Sequence, residues 1–484
     1  MKLIGRQPEQ ETLHRILHSE KAEFVAIYGR RRIGKTYLIR TFFQSKKNVF
    51  FNATGMKKGA IKKQLGHFCE QIGDTFLQGI SPKVGSSWED AFKLLSEAIK
   101  HTAKNKKIVL FLDEFPWMAT KNARLLETLD YYWNHYWSND PRIKLIICGS
   151  SAAWILNKII YNKGGLHNRV TQTIQLEPFT LAETRSFLTS LKFKINLKQV
   201  TQAYIVTGGI PYYLGQFNPH QSIDQNIDIL AFSKNSFLLS EFDKLFASLF
   251  DHSEAHIHIL KIMAQHPLGI GQASLFEKLK VKKGYSILSK LEALKTCGFI
   301  MSFVPYGYKE KGLYYKIIDE YTLFYFHWLE PIKSVLHNKG LGQHYWEKRK
   351  VTPEWRSWSG YAFESLCQKH SDKISQALHI SATSIPATWR YIPTKHSPDH
   401  GAQIDLLFDR DDDAITLCEI KYTETPFSID KAYAQRLLQK MEIFRARTKT
   451  SKQLFFALIS ASGLKPTLYS EDLINAIVTP EDLF

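Results

Sequence analysis

At 484 residues the chain is too long for a single hydrophobic core, and about three domains are expected. Its 44% hydrophobic and 23% charged residues describe an ordinary soluble protein. Five widely spaced cysteines without a C-x-x-C, and no long apolar run, argue against disulfides, a zinc site and a membrane span, so a cytoplasmic protein is expected. The 64 Lys and Arg against 46 Asp and Glu leave +18, which favours phosphate-rich or acidic partners, nucleic acid first, unless the charge serves only solubility.

The first informative stretch is the apolar run Phe24-Val25-Ala26-Ile27-Tyr28, followed by Gly29-Arg30-Arg31-Arg32-Ile33-Gly34-Lys35-Thr36 and a helical pattern from Tyr37. Strand, glycine loop and helix are the context in which G-x-x-x-x-G-K-[ST] binds phosphates. The two glycines let backbone N–H groups turn inward at the positive end of the helix. Lys35 is expected to reach the outer phosphates, and the Thr36 hydroxyl to ligate Mg²⁺.

A second apolar run, Asn48–Ala53, reads as another buried strand. Ile108–Leu112 then ends in Asp113 and Glu114, as expected of a buried strand delivering acids to a site. Asp113 would hold Mg²⁺, and Glu114 would orient or deprotonate the attacking water. The run Lys144–Cys148 ends in Gly149-Ser150-Ser151, where Ser150 is either a contact to the γ-phosphate and its water or a simple N-cap. Arg169 precedes the strand-like Thr171–Leu176 and is either an arginine finger for a neighbouring subunit or a structural surface residue.

Taken with Ile4-Gly5-Arg6-Gln7-Pro8-Glu9 and Leu176-Glu177-Pro178-Phe179, these motifs make Met1 to about Phe217 resemble the archaeal-type ATPases of the AAA+/STAND superfamily. The resemblance implies a five-stranded parallel P-loop sheet, a helical lid over about Leu181 to Phe250, and ATP with Mg²⁺. ATP over GTP also fits the lack of an N-K-x-D-type guanine reader. Thr207-Gly208-Gly209-Ile210-Pro211 is similar to the family's glycine-proline motif, which by resemblance puts Pro211 near the adenine. A plain turn between helices is the other reading.

From His252 to Ile318 three apolar-faced helices precede a hairpin, the order of a winged helix. Lys280, Lys282, Lys283 and Lys290 surround the would-be recognition helix, so the module either binds DNA or packs within the chain as a regulatory wing. The aromatic run Tyr321–Leu329 is expected to be interdomain core.

Toward the C-terminus, Gln403-Ile404-Asp405 lies in one strand, Arg410–Asp413 makes a turn, and Cys418-Glu419-Ile420-Lys421 lies in the next. This grouping is similar to the PD-(D/E)xK nucleases. Asp405 and Glu419 would share Mg²⁺, and period-2 alternation puts Glu419 and Lys421 on one face. Lys421 would then position hydroxide or stabilise developing phosphorane charge. Glu364, on the preceding helix, would support the metal or orient its water. Asp399, in Pro398-Asp399, is a rival first acid, but Asp405 has the better strand context. Residues 346–484 also resemble an uncharacterised C-terminal domain often fused to archaeal ATPases, itself similar to restriction-endonuclease-like folds.

The expected organisation is a P-loop core over 1–180, a lid over 181–250, a winged helix over 251–318, a linker over 319–345 and a nuclease-like α/β domain over 346–484. The expected function is an ATPase coupled to a Mg²⁺-dependent DNA nuclease. A non-cleaving ATP-dependent switch that binds nucleic acid or protein is the alternative, and a motor or chaperone-like ATPase is a third reading. A homo-oligomer is compatible with each.

Overall fold

The computed structural model describes residues 3–44, 47–120, 123–161, 166, 168–250, 252–281, 284–308, 312–341, 344–393 and 400–484. Lys282, Lys283, His167 and the Pro398-Asp399 pair lie outside the described residues. The chain divides into two compact units, Met1–Phe179 and Thr180–Phe484. The stretches expected as lid, winged helix, linker and C-terminal domain all fall within the second unit.

The first unit is an all-parallel sheet of β1 (Glu23–Tyr28), β2 (Val49–Thr54), β3 (Ile108–Asp113), β4 (Ile143–Gly149) and β5 (Gln172–Gln175), in the order β2-β3-β4-β1-β5. β3 and β4 are buried along their whole length, as near-continuous apolar runs flanked by helices should be. Phe51, Phe68, Trp88, Phe92 and Trp137 fill one layer between sheet and helices, and Trp137 satisfies its indole N–H on the Ser96 hydroxyl at 3.0 Å. Because all strands run the same way, everything following a strand lies at one end of the sheet. β4 sits between β1 and β3, so the ends of those two strands are held about 9.5 Å apart, two strand spacings.

The second unit begins with helices Leu181–Ser190 and Leu197–Thr207, each opened by a capping box, from Thr180 with Glu183 and from Asn196 with Gln199. Helices Ser253–Ala264, Gln272–Lys278 and Tyr285–Thr296 accompany an antiparallel sheet of β6 (Ile270–Gly271), β7 (Ile300–Phe303) and β8 (Tyr314–Ile317), ordered β6-β8-β7. The aromatic run is buried as expected: Tyr325 stacks on Phe242 at 3.7 Å, and Tyr321 donates to the Leu238 carbonyl. A second five-stranded sheet contains β9 (Ile385–Tyr391), β10 (Ala402–Asp409), β11 (Ala414–Lys421), β13 (Gln453–Ser460) and β15 (Ala476–Val478), in the order β15-β13-β11-β10-β9. β12 (Phe427–Ser428) and β14 (Leu464–Lys465) form a small separate pair. β9, β10 and β11 are antiparallel neighbours, whereas β13 runs parallel to β11 and β15 parallel to β13. All five cysteines are free and buried.

Candidate functional sites

The loop Gly29–Gly34 leaves β1 and delivers Lys35 as the first residue of helix Lys35–Phe43, with Gly34 as N-cap at φ +92°. Gly29 has φ +142°, and a Cβ there would lie 2.2 Å from the Leu176 carbonyl oxygen, so only glycine fits. Arg32 also sits in the left-handed region, at φ +76°. Arg30 and Ile33 are buried and Arg31 is half-buried, so the three arginines are not an equivalent basic patch. Arg6 braces the loop from the N-terminal motif: its guanidinium donates to the Ile33 carbonyl at 3.2 Å and lies 4.7 Å over the Phe179 ring.

The Lys35 ammonium donates to the Gly29 and Arg30 carbonyls, both at 2.8 Å, curled into its own loop. The Thr36 hydroxyl donates to Asp113 Oδ2 at 2.8 Å across the gap between the β1 and β3 ends. Glu114 takes a left-handed backbone conformation, φ +47°, and its carboxylate accepts from the Ser150 N–H at 3.2 Å and hydroxyl at 2.9 Å. Ser150 is therefore neither a helix cap nor idle: it holds the Glu114 side chain. Cys148, behind them, is buried, and burial followed by the nearby Asp113 charge pushes its thiol well up, which keeps it protonated and inert. A hydroxyl and a carboxylate at hydrogen-bond distance beside a lysine are hard oxygen donors suited to Mg²⁺, with phosphate and water completing its shell.

Arg169 is exposed at the entrance to β5, whereas the P-loop, Asp113 and Ser150 follow the ends of their strands. In a parallel sheet these are opposite edges, so Arg169 does not reach the P-loop of its own chain. Pro211 opens the short helix Pro211–Leu214 after Gly208 and Gly209, both at positive φ, in the second unit.

A second cluster gathers on the C-terminal sheet. The β10–β11 register pairs Leu406 with Cys418; Asp405 and Glu419 each lie one residue beyond that pair, where β10 is irregular against β9, and the Glu419 charge acts on Asp405. Both are buried, at 7% and 3% exposure. Asp405 accepts from the Ile420 N–H at 3.3 Å and the Gln403 amide at 3.1 Å. Glu419 accepts from Lys421 at 2.8 Å, from Lys440 at 2.7 Å and from the Tyr433 hydroxyl. Burial alone would raise the Glu419 carboxyl, but the two ammonium groups outweigh it and hold the group down to about 2. Asp405 is raised, first by burial and then by the Glu419 charge. Glu364, on helix Pro353–Lys369, is pushed up to about 8 by burial and the Asp405 charge, so it carries a proton at neutral pH.

Four residues around this cluster were not read from the sequence. Tyr433 and Lys440 lie seven residues apart on helix Lys431–Thr448, two turns on one face, a spacing that pointed at nothing until the helix was packed on β11. Lys316 arrives from β8: buried, it donates to the Gln368 side chain at 2.9 Å, and the Gln368 amide donates to the Asp405 carbonyl at 2.8 Å. The hairpin tip is tied to the same sheet, with the Tyr306 N–H on the Thr388 carbonyl at 2.9 Å and its ring stacked on Phe444. Among the described residues no group of three or more His, Cys, Asp or Glu is arranged to hold a metal. Asp405 and Glu419 fit a hard divalent ion only if backbone and water oxygens complete the set.

The family described as an ATPase domain predominantly from Archaea matches residues 3–217. This part of the chain, which carries the P-loop, Asp113, Glu114 and Ser150, is thus similar to archaeal-type ATPase domains. An uncharacterised protein of Methanocaldococcus jannaschii is 24% identical over 429 residues, spanning 87% of this chain and 88% of that one, so the likeness continues beyond the ATPase domain. An uncharacterised ATP-binding protein of the same organism is 46% identical over 44 residues, 9% of this chain and 75% of that one. Among solved structures, a Walker-type ATPase of Pyrococcus abyssi is similar with a TM-score of 0.45 at 17% identity, over 67% of this chain and 96% of that one. The ORC2 protein of Aeropyrum pernix is similar with a TM-score of 0.42 at 17% identity, over 69% and 94%. Among the described residues no helix is long and apolar enough to cross a membrane.

Proposed function

We propose that the ATPase domain binds and hydrolyses ATP to govern a metal-dependent phosphodiesterase centred on Asp405, Glu419 and Lys421, acting on DNA. The carrying observation is that Asp405 and Glu419, on the adjacent strands β10 and β11, are buried close enough for the Glu419 charge to act on Asp405, with Lys421 2.8 Å from Glu419. At the nucleotide site, the loop amides and Lys35 would bind the phosphates while Thr36 and Asp113 hold Mg²⁺. Mg²⁺ there supplies charge neutralisation on the phosphates. Glu114, released from Ser150, would orient water in line with the γ-phosphate. Any contribution of Arg169 would come from a neighbouring subunit.

At the second site a divalent ion would polarise the phosphodiester and acidify a water. Lys421 would stabilise the developing charge, Lys440 and Tyr433 would fix Glu419, and protonated Glu364 would donate toward the leaving oxygen or its water. Helices Ser253–Ala264, Gln272–Lys278 and Tyr285–Thr296 with β6–β8 follow the winged-helix order, and we read the module as one whose hairpin is committed to the C-terminal sheet. The exposed face of its third helix, with Tyr285, Ser289 and Lys295, stays available to nucleic acid.

The alternative, a switch that binds without cutting, is favoured by one feature: three groups already engage Glu419. Cleavage of plasmid and single-stranded DNA with Mg²⁺ or Mn²⁺, with and without ATP, separates the two. The expected result is cutting by wild type, a loss of ~10²-fold or more in Lys421→Ala, and an altered ATP response in Lys35→Ala. No cutting by wild type under any nucleotide condition, with ATP hydrolysis intact, would favour the switch.

A further inference from the structure

A cleft of about 910 Å³ runs between the β6–β8 module and strands β9 and β10. That is toward the upper end of the roughly 300–1,000 Å³ usual for ligand sites. Its walls carry the exposed cations Lys278 and Arg390, with the rings of Tyr308, 53% exposed, and half-buried Tyr314. Its floor carries Lys316 and Asp405, and Asp405 is the only carboxylate among the described lining residues, against three cations. The cleft therefore attracts anions along its length and ends on the acid that the phosphodiesterase reading makes a metal ligand.

We propose that this cleft takes an unpaired nucleic-acid strand and leads it to Asp405. Cations interleaved with accessible aromatic rings are what single strands use, phosphates on the charges and bases on the rings. A duplex is too stiff to follow the groove, since it bends appreciably only over ~150 base pairs. Asp405, 7% exposed, lies at the floor, where the phosphates on the outside of a rod do not arrive. A flexible strand descends to it. The proposal rests on the phosphodiesterase reading for what happens at Asp405, but binding in the cleft is separable from it.

The test is fluorescence anisotropy on the full chain in EDTA, with labelled oligo(dT), labelled oligo(U) and a duplex of matching length. Wild type is compared with a Lys278→Ala/Arg390→Ala double variant and with Tyr308→Ala, all at exposed positions. The expected result is a strand bound ~10-fold or more tighter than the duplex. The double variant should weaken strand binding and flatten its log–log salt slope by about 1.4, the share of two phosphate contacts. Tyr308→Ala should cost ~5-fold or more. Tight binding of either the DNA or the RNA strand supports the proposal, and the tighter of the two identifies the sugar. A duplex bound as tightly as the strand, or a double variant with unchanged affinity and slope, overturns it. If strand binding behaves as expected while Mg²⁺ or Mn²⁺ elicits no cutting, the cleft stands and the phosphodiesterase reading falls. If cutting depends on Lys421 but is indifferent to the cleft variants, the cleft falls alone.

Discussion

Glu114 is the residue on which the nucleotide site turns. It combines a strained left-handed backbone with a carboxylate held by both polar groups of Ser150, so the resting arrangement keeps it bonded to its own chain. Substituting Glu114→Gln preserves shape and hydrogen bonding to Ser150 but removes the charge that would orient or deprotonate water. ATP should bind as in wild type while hydrolysis falls by ~10²–10⁴-fold, read as phosphate release beside nucleotide affinity. Unchanged hydrolysis would remove Glu114 from the chemistry. The sequence announced this residue because its signal is local: an apolar strand ending in two acids downstream of a glycine loop. Ser150 was ambiguous, since a hydroxyl after a strand looks the same whether it caps a helix or holds a side chain from the neighbouring strand. Arg169 was left open between a finger for a neighbouring subunit and a structural surface residue. Its place before a parallel strand already implied the far edge of the sheet, and only a partner chain could bring it to a nucleotide.

At the scale of elements, helix Pro353–Lys369 joins the most distant pieces of sequence. Glu364 and Gln368, one turn apart, face Asp405, and Lys369 pairs with fully buried Glu320 at 3.1 Å. Glu320 lies under the glycine-proline turn: a Cβ at Gly208, φ +64°, would sit 3.0 Å from its carboxylate. Neither partner was legible as a pair, because 49 residues separate them and each alone reads as a surface charge on a helix. Truncating only Glu320, as Glu320→Ala, leaves an uncompensated ammonium with 22% of its side chain exposed. Urea unfolding should show a loss of about 3 kcal/mol, the low end for a broken buried pair because some solvent reaches Lys369. The double substitution Glu320→Leu/Lys369→Leu should recover most of that loss, since it removes both desolvated charges. A double variant no more stable than the single one would show that the pair carries structure that apolar packing cannot replace.

At the scale of the molecule, the parallel five-stranded sheet was legible from its local motifs. Periodicity and motifs are local, whereas the gathering of residues 180–484 into one unit depends on contacts such as Lys316 to Gln368 and Tyr306 to Thr388, between segments far apart in sequence. Two compact units allow two unfolding transitions, and this gives access to the coupling that ATP gating requires. ATP with Mg²⁺ at ~100 times its dissociation constant should stabilise the unit containing the P-loop by about 2.7 kcal/mol, and Lys35→Ala should abolish that shift. Glu320→Ala, by lowering one transition selectively, identifies the one belonging to residues 180–484. If nucleotide binding governs the Asp405 site, that second transition must move with ATP as well, because a ligand shifts only equilibria whose states it distinguishes. Scanning calorimetry in which the second transition moves in wild type and stays fixed in Lys35→Ala would give the coupling directly. A second transition indifferent to ATP in wild type would leave an ATPase and a nucleic-acid-handling unit joined by the chain alone.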